Sequence, residues 1–146
     1  MKKIGYILFF LVLILSSCSN KEKKVIKTFP DGSPELEKTY VIKDGKEILI
    51  KETKYYEKDH KYIDREMKDS IPDGLSTVWY KNGNKWSEGY FKNGLANGKR
   101  TVWYENGKKR YDGNYKYDKP SGVWNFYDET GKKVKEIDYD KLESNN

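Results

Sequence analysis

Cysteine and histidine are almost absent from this chain of 146 residues, which has one of each, Cys18 and His60. A single cysteine excludes a disulfide within the chain, and it excludes a structural zinc site built on cysteines, because such a site needs four ligands. The one histidine lies between Asp59 and Lys61. We therefore expect His60 to be a solvated loop residue, and we expect no catalytic triad.

Long apolar runs are also scarce. The main one, from Ile4 to Leu15, follows Lys2 and Lys3 and carries no charge. It is too short to span a bilayer comfortably, since a transmembrane helix needs roughly 20 apolar residues. Its length and its basic flank are typical of a signal peptide, so we predict a cleaved signal-peptide helix over residues 1–17.

The residues that end this segment, Leu15-Ser16-Ser17-Cys18, resemble the lipobox of bacterial lipoproteins. The resemblance implies that Cys18 carries lipid on its sulfur and begins the mature chain, which would be anchored to a membrane of the cell envelope. Ser19 then favours the outer membrane in a Gram-negative host. The alternative is a plain secretory signal followed by an incidental free cysteine.

The composition is polar yet rich in aromatic residues. Charged residues make up 36% of the chain, and the mean hydropathy is −1.00, values that usually indicate disorder. Aromatic residues make up 15%, and tyrosine and tryptophan suit half-buried sheet surfaces. We predict a thin β structure with no thick aliphatic core. Because the lysines are interspersed with acidic residues, no nucleic-acid partner is expected.

A spacing of 24 residues recurs through the second half of the chain. The repeating positions are Gly74, Gly98 and Gly122; Gly83, Gly107 and Gly131; Trp79, Trp103 and Tyr127; and Glu88, Asp112 and Glu136. A fixed period of this size indicates a stacked array of one small unit. We predict an all-β fold, an elongated antiparallel sheet of repeated β-hairpins. The chain divides into a signal peptide (1–17), a lipidated tether (18–28), degenerate repeats (29–72), clear repeats (73–140) and a polar tail (141–146).

The turns follow from local sequence. Asn82-Gly83 and Asn106-Gly107 lie between β-prone runs, which predicts two-residue type I′ turns, and Thr130-Gly131 predicts a weaker third turn. Counting outward from such turns pairs four sets of residues across the strands: Thr77 with Glu88, Trp79 with Trp86, Trp103 with Arg110, and Tyr127 with Val134. Pro120 predicts a connection over residues 117–121, because proline cannot donate to a sheet ladder.

Two segments of this pattern, Trp79-Tyr80-Lys81-Asn82-Gly83 and Trp103-Tyr104-Glu105-Asn106-Gly107-Lys108, resemble the MORN-repeat variant family. The resemblance covers residues 73–139 well and 29–72 loosely, and it implies a row of β-hairpins. Bacterial members often carry the label of a YwqK-type antitoxin. A fold of this kind does not determine a function.

No catalytic constellation is evident. Carboxylates recur at Glu88, Asp112 and Glu136, but a position that recurs with a repeat is usually a structural contact, here opposite Thr77, Thr101 and Asn125. We therefore expect neither an enzyme nor a cofactor or metal site.

The sequence favours a membrane-anchored, protein-binding scaffold. We expect partner contacts at an aromatic column on one face of the sheet, formed by Trp79, Trp86 and Trp103 and flanked by Arg110 and Glu88. One alternative is an antitoxin or immunity protein that neutralises a partner toxin. Another is a surface lipoprotein that binds glycan or another cell-envelope polymer.

Overall fold

The computed structural model describes residues 21–143. The predicted signal peptide, the lipidation site at Cys18 and residues 144–146 of the predicted tail lie outside the described residues. Within residues 21–143, ten strands and one short helix follow one another: β1 Lys21–Thr28, β2 Pro34–Lys43, β3 Lys46–Glu57, β4 His60–Lys68, β5 Ile71–Trp79, β6 Lys85–Lys92, β7 Leu95–Trp103, β8 Lys109–Lys116, β9 Lys119–Tyr127, β10 Lys133–Asp138 and α1 Tyr139–Glu143.

All ten strands form one antiparallel sheet in chain order, each strand pairing with the next. The predicted all-β array of hairpins is confirmed. The sheet is open, with β1 and β10 at its edges, and every strand finds its partners within residues 21–143. A fragment covering 19–146 therefore retains the whole sheet.

Both ends of the sheet differ in detail from the prediction. The segment expected to be a tether contains β1, which pairs with β2 from Lys21 onward. The segment expected to be a polar tail begins inside α1. This helix packs back on β9: the Tyr139 ring lies 5.7 Å from that of Trp124, and Asp140 Oδ1 accepts a hydrogen bond from the Gly122 N–H.

The predicted type I′ turns at Asn82-Gly83 and Asn106-Gly107 are wrong. Only the glycine of each pair has positive φ, +87° for Gly83 and +82° for Gly107. The Gly83 N–H donates to Tyr80 O, and the Tyr80 N–H donates to Asn84 O. This is a three-residue loop, a type I turn followed by a left-handed glycine. The same bonds recur at Tyr104–Lys108 and Asp128–Lys132. In the last of these loops the Asp128 carboxylate accepts a hydrogen bond from the Lys132 N–H, and in the other two an asparagine side chain accepts the bond from the equivalent N–H.

Turns with positive φ at both central residues occur at the opposite end of the hairpins. They are Asp44-Gly45, Asp69-Ser70, Asn93-Gly94 and Tyr117-Asp118. The connection predicted over 117–121 is therefore a two-residue turn, and Pro120 lies in β9 opposite Tyr115. Proline is tolerated here because it is the second residue of the strand and lies next to a bulge between Asp112 and Asn114.

The longer loops shift the pairing only close to the turn. Trp79 pairs with Lys85 and not with Trp86, Trp103 with Lys109 and not with Arg110, and Tyr127 with Lys133 and not with Val134. A bulge then restores the register, so that the predicted pair of Thr77 and Glu88 is confirmed. Each bulge recurs at the same point of its hairpin.

Gly107→Val should lower the free energy of unfolding by more than about 1 kcal/mol, because a β-branched residue is strained at positive φ. Gly131→Val should cost as much, since Gly131 has a φ of +90° in the same kind of loop. Denaturant unfolding of the 19–146 fragment measures both. Glu105→Val in the same loop, at a position with ordinary φ, is the matched control, and an equal loss in this variant would contradict the explanation.

Candidate functional site: the two surfaces of the sheet

One face of the sheet carries a single transverse row of polar residues. Each member pairs directly with the next across neighbouring strands, and paired residues share a face. The row is Glu37, Thr53, Asp64, Thr77, Glu88, Thr101, Asp112, Asn125 and Glu136. Thr53, Thr77 and Thr101 are buried under the longer neighbouring side chains. We call this side the ladder face.

Two members of the predicted aromatic column, Trp79 and Trp103, lie on the ladder face together with Tyr127, and lysines take part in this column. Lys61 Nζ lies 5.9 Å from the centre of the Trp79 ring, Lys85 lies 5.7 Å from the Trp103 ring, and Lys109 lies 5.3 Å from the Tyr127 ring. Each lysine also approaches the carboxylate three residues later, Asp64, Glu88 or Asp112. The recurring acids therefore pair with lysines. Glu88, Asp112 and Glu136 also lie opposite Thr77, Thr101 and Asn125, as the sequence predicted.

Asp64 is largely enclosed, with 15% of its side chain exposed. Burial would raise the pKa of Asp64, but hydrogen bonds from Lys51 and Thr53 and the charge of Lys61 outweigh burial, so the pKa is lowered from its ordinary 3.8. A lowered folded-state pKa contributes stability at neutral pH that is lost as the pH falls through it.

We therefore expect Asp64→Asn to be less stable than the native chain at pH 7, and the gap should narrow as the pH falls below 3.8. Thermal unfolding across a pH series measures this gap. Asp69→Asn, which makes the same change of charge at an exposed turn residue, is the control variant. A gap for Asp64→Asn that stays constant to the lowest pH would contradict the assignment.

Tyrosines join successive hairpins. The hydroxyls of Tyr56, Tyr80 and Tyr104 each donate to the carbonyl 23 residues later, that of Trp79, Trp103 and Tyr127, at 2.9–3.0 Å. Burial raises the pKa of Tyr56 and Tyr80, so these phenols stay protonated and remain donors. These bonds fix the backbone carbonyls of Trp79, Trp103 and Tyr127. The bond from Tyr56 shows that the same contact also joins the degenerate repeats to the clear ones.

Trp86 and Arg110 do not belong to the lysine–aromatic column. Trp86 is the extra residue at the bulge of β6, and its ring lies 6.2 Å from that of Tyr80. Arg110, 24 residues later, lies against Tyr104 in the same way, at 5.6 Å. Trp86 is 41% exposed. The expectation that Trp79, Trp86 and Trp103 form one column is therefore wrong for Trp86.

The opposite face holds most of the apolar packing. Its row runs through Ile63, Val78, Ser87, Val102, Tyr111 and Phe126. Trp124, 5% exposed, packs over Gly113 in this layer and contacts the rings of Tyr111 and Tyr115. Both faces are thus partly buried, and the strands of residues 21–143 form a single layer.

Sequence reasoning found Trp79, Trp103 and Glu88 together and missed their lysines. Lys61, Lys85, Lys109 and Lys133 keep the 24-residue period and could have been found by the same count. The sequence predicts only a backbone role for Asn82, as a residue of a tight turn. In the structure its side chain also joins two hairpins, because Asn82 Nδ2 donates to Glu105 O, and Asn106 Nδ2 donates to Glu129 O in the same way.

Among residues 21–143 no group of three or more histidine, cysteine, aspartate or glutamate side chains is arranged to hold a metal ion. In the same range no helix is both long and apolar enough to cross a membrane.

Comparison with known families agrees with the hairpin boundaries. The model of the MORN repeat variant matches residues 72–93, 96–117 and 120–141, which are the hairpins β5–β6, β7–β8 and β9–β10. Three consecutive hairpins of the chain are therefore similar to the MORN repeat variant. No curated protein and no solved structure shows significant similarity to it.

Proposed function

We propose that this chain is a non-catalytic, protein-binding scaffold held at a bacterial membrane by lipid on Cys18. The observation that carries the binding role is the repeated surface: three consecutive repeats join one open sheet whose aromatic and charged groups recur with each hairpin. Repeat arrays of this kind typically bind partners along an extended surface.

The exposed aromatic residues indicate where a partner would make contact. Tryptophan and tyrosine are frequent anchors in protein interfaces. Trp86 remains 41% exposed while its neighbour Tyr80 is fixed by a hydrogen bond to Trp103 O. An exposed indole beside a rigid tyrosine is a suitable anchor because little side-chain freedom is lost when a partner binds.

The membrane anchor rests on the sequence, with Lys2 and Lys3, the apolar run to Leu15, and Ser17-Cys18 in order. Lys21, three residues after Cys18, lies in the sheet. Three residues span at most about 11 Å, so lipid on Cys18 would hold the β1 edge close to the bilayer. We propose a location in the cell envelope, at the outer membrane in a Gram-negative host.

Cys18→Ser tests the anchor. The native chain should sediment with the membrane fraction and should incorporate labelled fatty acid. The variant should lose the label and should either leave the membrane fraction or remain unprocessed. A variant that is processed and sediments like the native chain would refute lipidation at Cys18.

Capture of partners by the immobilised 19–146 fragment tests the scaffold. A specific protein retained by this fragment, and no longer retained when Trp86 is changed, supports the proposal. A captured toxin would make the chain an antitoxin, and retention on purified peptidoglycan without a protein partner would make it a cell-wall binder.

A further inference from the structure

An open cleft lies at the rim of the sheet, between the β3–β4 turn and the β5–β6 turn. Its volume is about 520 Å³, and its lining includes His60, Lys61, Trp79, Tyr80, Lys81 and Asn82. A cleft of this size falls within the range of ligand sites in proteins. It lies where the degenerate repeats meet the first MORN-variant repeat.

The cleft is open because a clamp between turns is missing here. One repeat later, Asn82 Nδ2 and Asn84 Nδ2 both donate to Glu105 O, at 3.0 and 2.8 Å, and draw the two turns together. The residues 24 positions earlier are Lys58 and His60. Within residues 21–143 neither of them bonds to the Lys81 carbonyl, and His60 Nδ1 instead meets Glu57 Oε1 at 3.1 Å.

The β3–β4 turn, at one side of the cleft, also differs in its pairing from the later turns at this end of the sheet. Glu57 pairs directly with His60, leaving Lys58 and Asp59 as the turn. The equivalent loop of the next hairpin has three residues, Lys81, Asn82 and Gly83.

The charge at this junction differs from that of the other repeats. Lys81 occupies the position of Glu105 and Glu129 in the following copies. Its ammonium lies 5.7 Å from the centre of the Tyr56 ring, and within the described part of the chain no carboxylate lies within 4.0 Å of it. Lys61 adds a second ammonium group, at 5.9 Å from the Trp79 ring. It shares the Asp64 carboxylate with Lys51, which lies closer to Asp64 Oδ2, at 2.8 Å against 3.4 Å for Lys61. The acidic residue of the lining is Asp59.

We propose that this cleft binds an acidic peptide segment of a protein partner, with its carboxylates paired to Lys61 and Lys81 and an aromatic side chain packed against Tyr80. The proposal rests on the function proposed above and names the chemistry of the bound segment. Two cations beside aromatic rings complement a chain that carries carboxylates and apolar groups together.

A peptide fits this lining better than a saccharide does. The Trp79 ring already carries Lys61 over one face, so that face is not bare for stacking against a sugar. Tyr80 connects the cleft to the exposed indole of Trp86, 6.2 Å away, which extends the surface in a way that suits a continuous peptide.

The test is a titration of the ¹⁵N-labelled 19–146 fragment with acetyl-Glu-Glu-Tyr-Glu-Glu-amide at low salt. Saturable shifts should appear at the amides of residues 59–61 and 79–83, and the peptide with glutamine in place of each glutamate should bind at least tenfold more weakly. Absence of saturable shifts would overturn the proposal, and so would tighter binding of glucuronic acid at the same amides.

Matched variants distinguish peptide binding in the cleft from nonspecific attraction of an anionic peptide to surface lysines. Lys81→Glu and Lys61→Ala should each reduce binding at least tenfold. Lys85→Ala should leave binding unchanged, because Lys85 has the same place over Trp103 beside a closed pair of turns. An equal loss in Lys85→Ala would overturn the proposal.

His60→Asn provides an independent check by restoring the residue found at position 84. The new amide should bond to the Lys81 carbonyl, close the cleft and weaken peptide binding while raising the melting temperature. Tighter peptide binding in this variant would count against the proposal. Because the titration uses neither lipid nor a captured partner, its failure leaves the anchor and scaffold tests standing, and their failure leaves the cleft standing.

Discussion

Gly113→Ala is expected to lower the free energy of unfolding by about 2–3 kcal/mol, the upper part of the range for an overpacked site. A Cβ atom built on Gly113 would lie 2.2 Å from Cδ2 of Trp124, far inside van der Waals contact. The φ of Gly113 is ordinary, so this cost arises from overlap and not from backbone strain. Thermal or denaturant unfolding of the 19–146 fragment measures it, with an expected fall in Tm of roughly 5–15 °C.

Trp124 cannot easily move away from an added methyl group. Its ring is 5% exposed, its Nε1 donates to Asn114 O at 3.1 Å, and the rings of Tyr115 and Tyr139 meet it edge-on. Close-packed protein interiors transmit such an overlap to neighbouring side chains instead of absorbing it. Displacing the indole would also disturb the packing of α1 on the sheet.

Gly89→Ala is the matched control, because Gly89 is the same position one repeat earlier. There the neighbour is the flexible side chain of Arg100, with its Cγ atom 3.4 Å from the added Cβ. We expect a loss below about 1 kcal/mol, since a side chain of this kind can adjust. In a Trp124→Leu background, Gly113→Ala should cost much less than in the native chain, as expected for two residues that interact directly. A neutral Gly113→Ala in the native background would disprove the overlap.

The array of hairpins could be predicted because the 24-residue period constrains every repeat at once. The inner pair Thr77 and Glu88 was correct for the same reason. The turn type was not predictable from Asn-Gly alone. That dipeptide suits a two-residue type I′ turn and also a three-residue loop that ends in a left-handed glycine. The two loop types give strand pairings that differ by one residue next to the turn. A bulge then restores the predicted pairing further along the strands.

The contacts of the ladder face escaped prediction because they cross between hairpins. Lys61 reaches the ring of Trp79, and Tyr80 reaches the carbonyl of Trp103, so the partners lie 18 and 23 residues apart. Local rules for turns and strands contain no such spacing. The period makes these contacts recur, but the side-chain directions that create them depend on the bulges.

The cleft beside Trp79 illustrates a different limit. Asn82 and Asn84 donate hydrogen bonds to the carbonyl of the next turn, Glu105 O. Within residues 21–143, Lys58 and His60 form no such bond to the Lys81 carbonyl, and the cleft depends on this difference. The sequence shows that these residues differ between the repeats. The consequence is visible only in the structure, where the hydrogen bonds to Glu105 O hold two turns together. A degenerate repeat can therefore be a place where the array departs from uniform packing and gains a specific surface.

Trp86→Thr should reduce the affinity for a captured protein partner by roughly 30-fold or more, the loss of about 2 kcal/mol typical of an interface anchor. The fold should lose less than about 1 kcal/mol. Trp86 is 41% exposed, its ring contact is with Tyr80, and threonine keeps the β preference of the strand. Affinity measured by calorimetry, beside thermal unfolding of the same samples, separates the two effects.

Tyr62→Thr is the control for this prediction, because Tyr62 is the equivalent residue 24 positions earlier. It is 36% exposed, and its ring lies 4.9 Å from that of Tyr56, so its loss should affect stability about as much as the loss of Trp86. If only Trp86→Thr weakens the complex, the indole is an anchor and not simply one more aromatic residue of the array. A Trp86→Thr protein that unfolds would show instead that this residue belongs to the core. A folded variant that still binds every captured partner would place the binding surface elsewhere on the sheet.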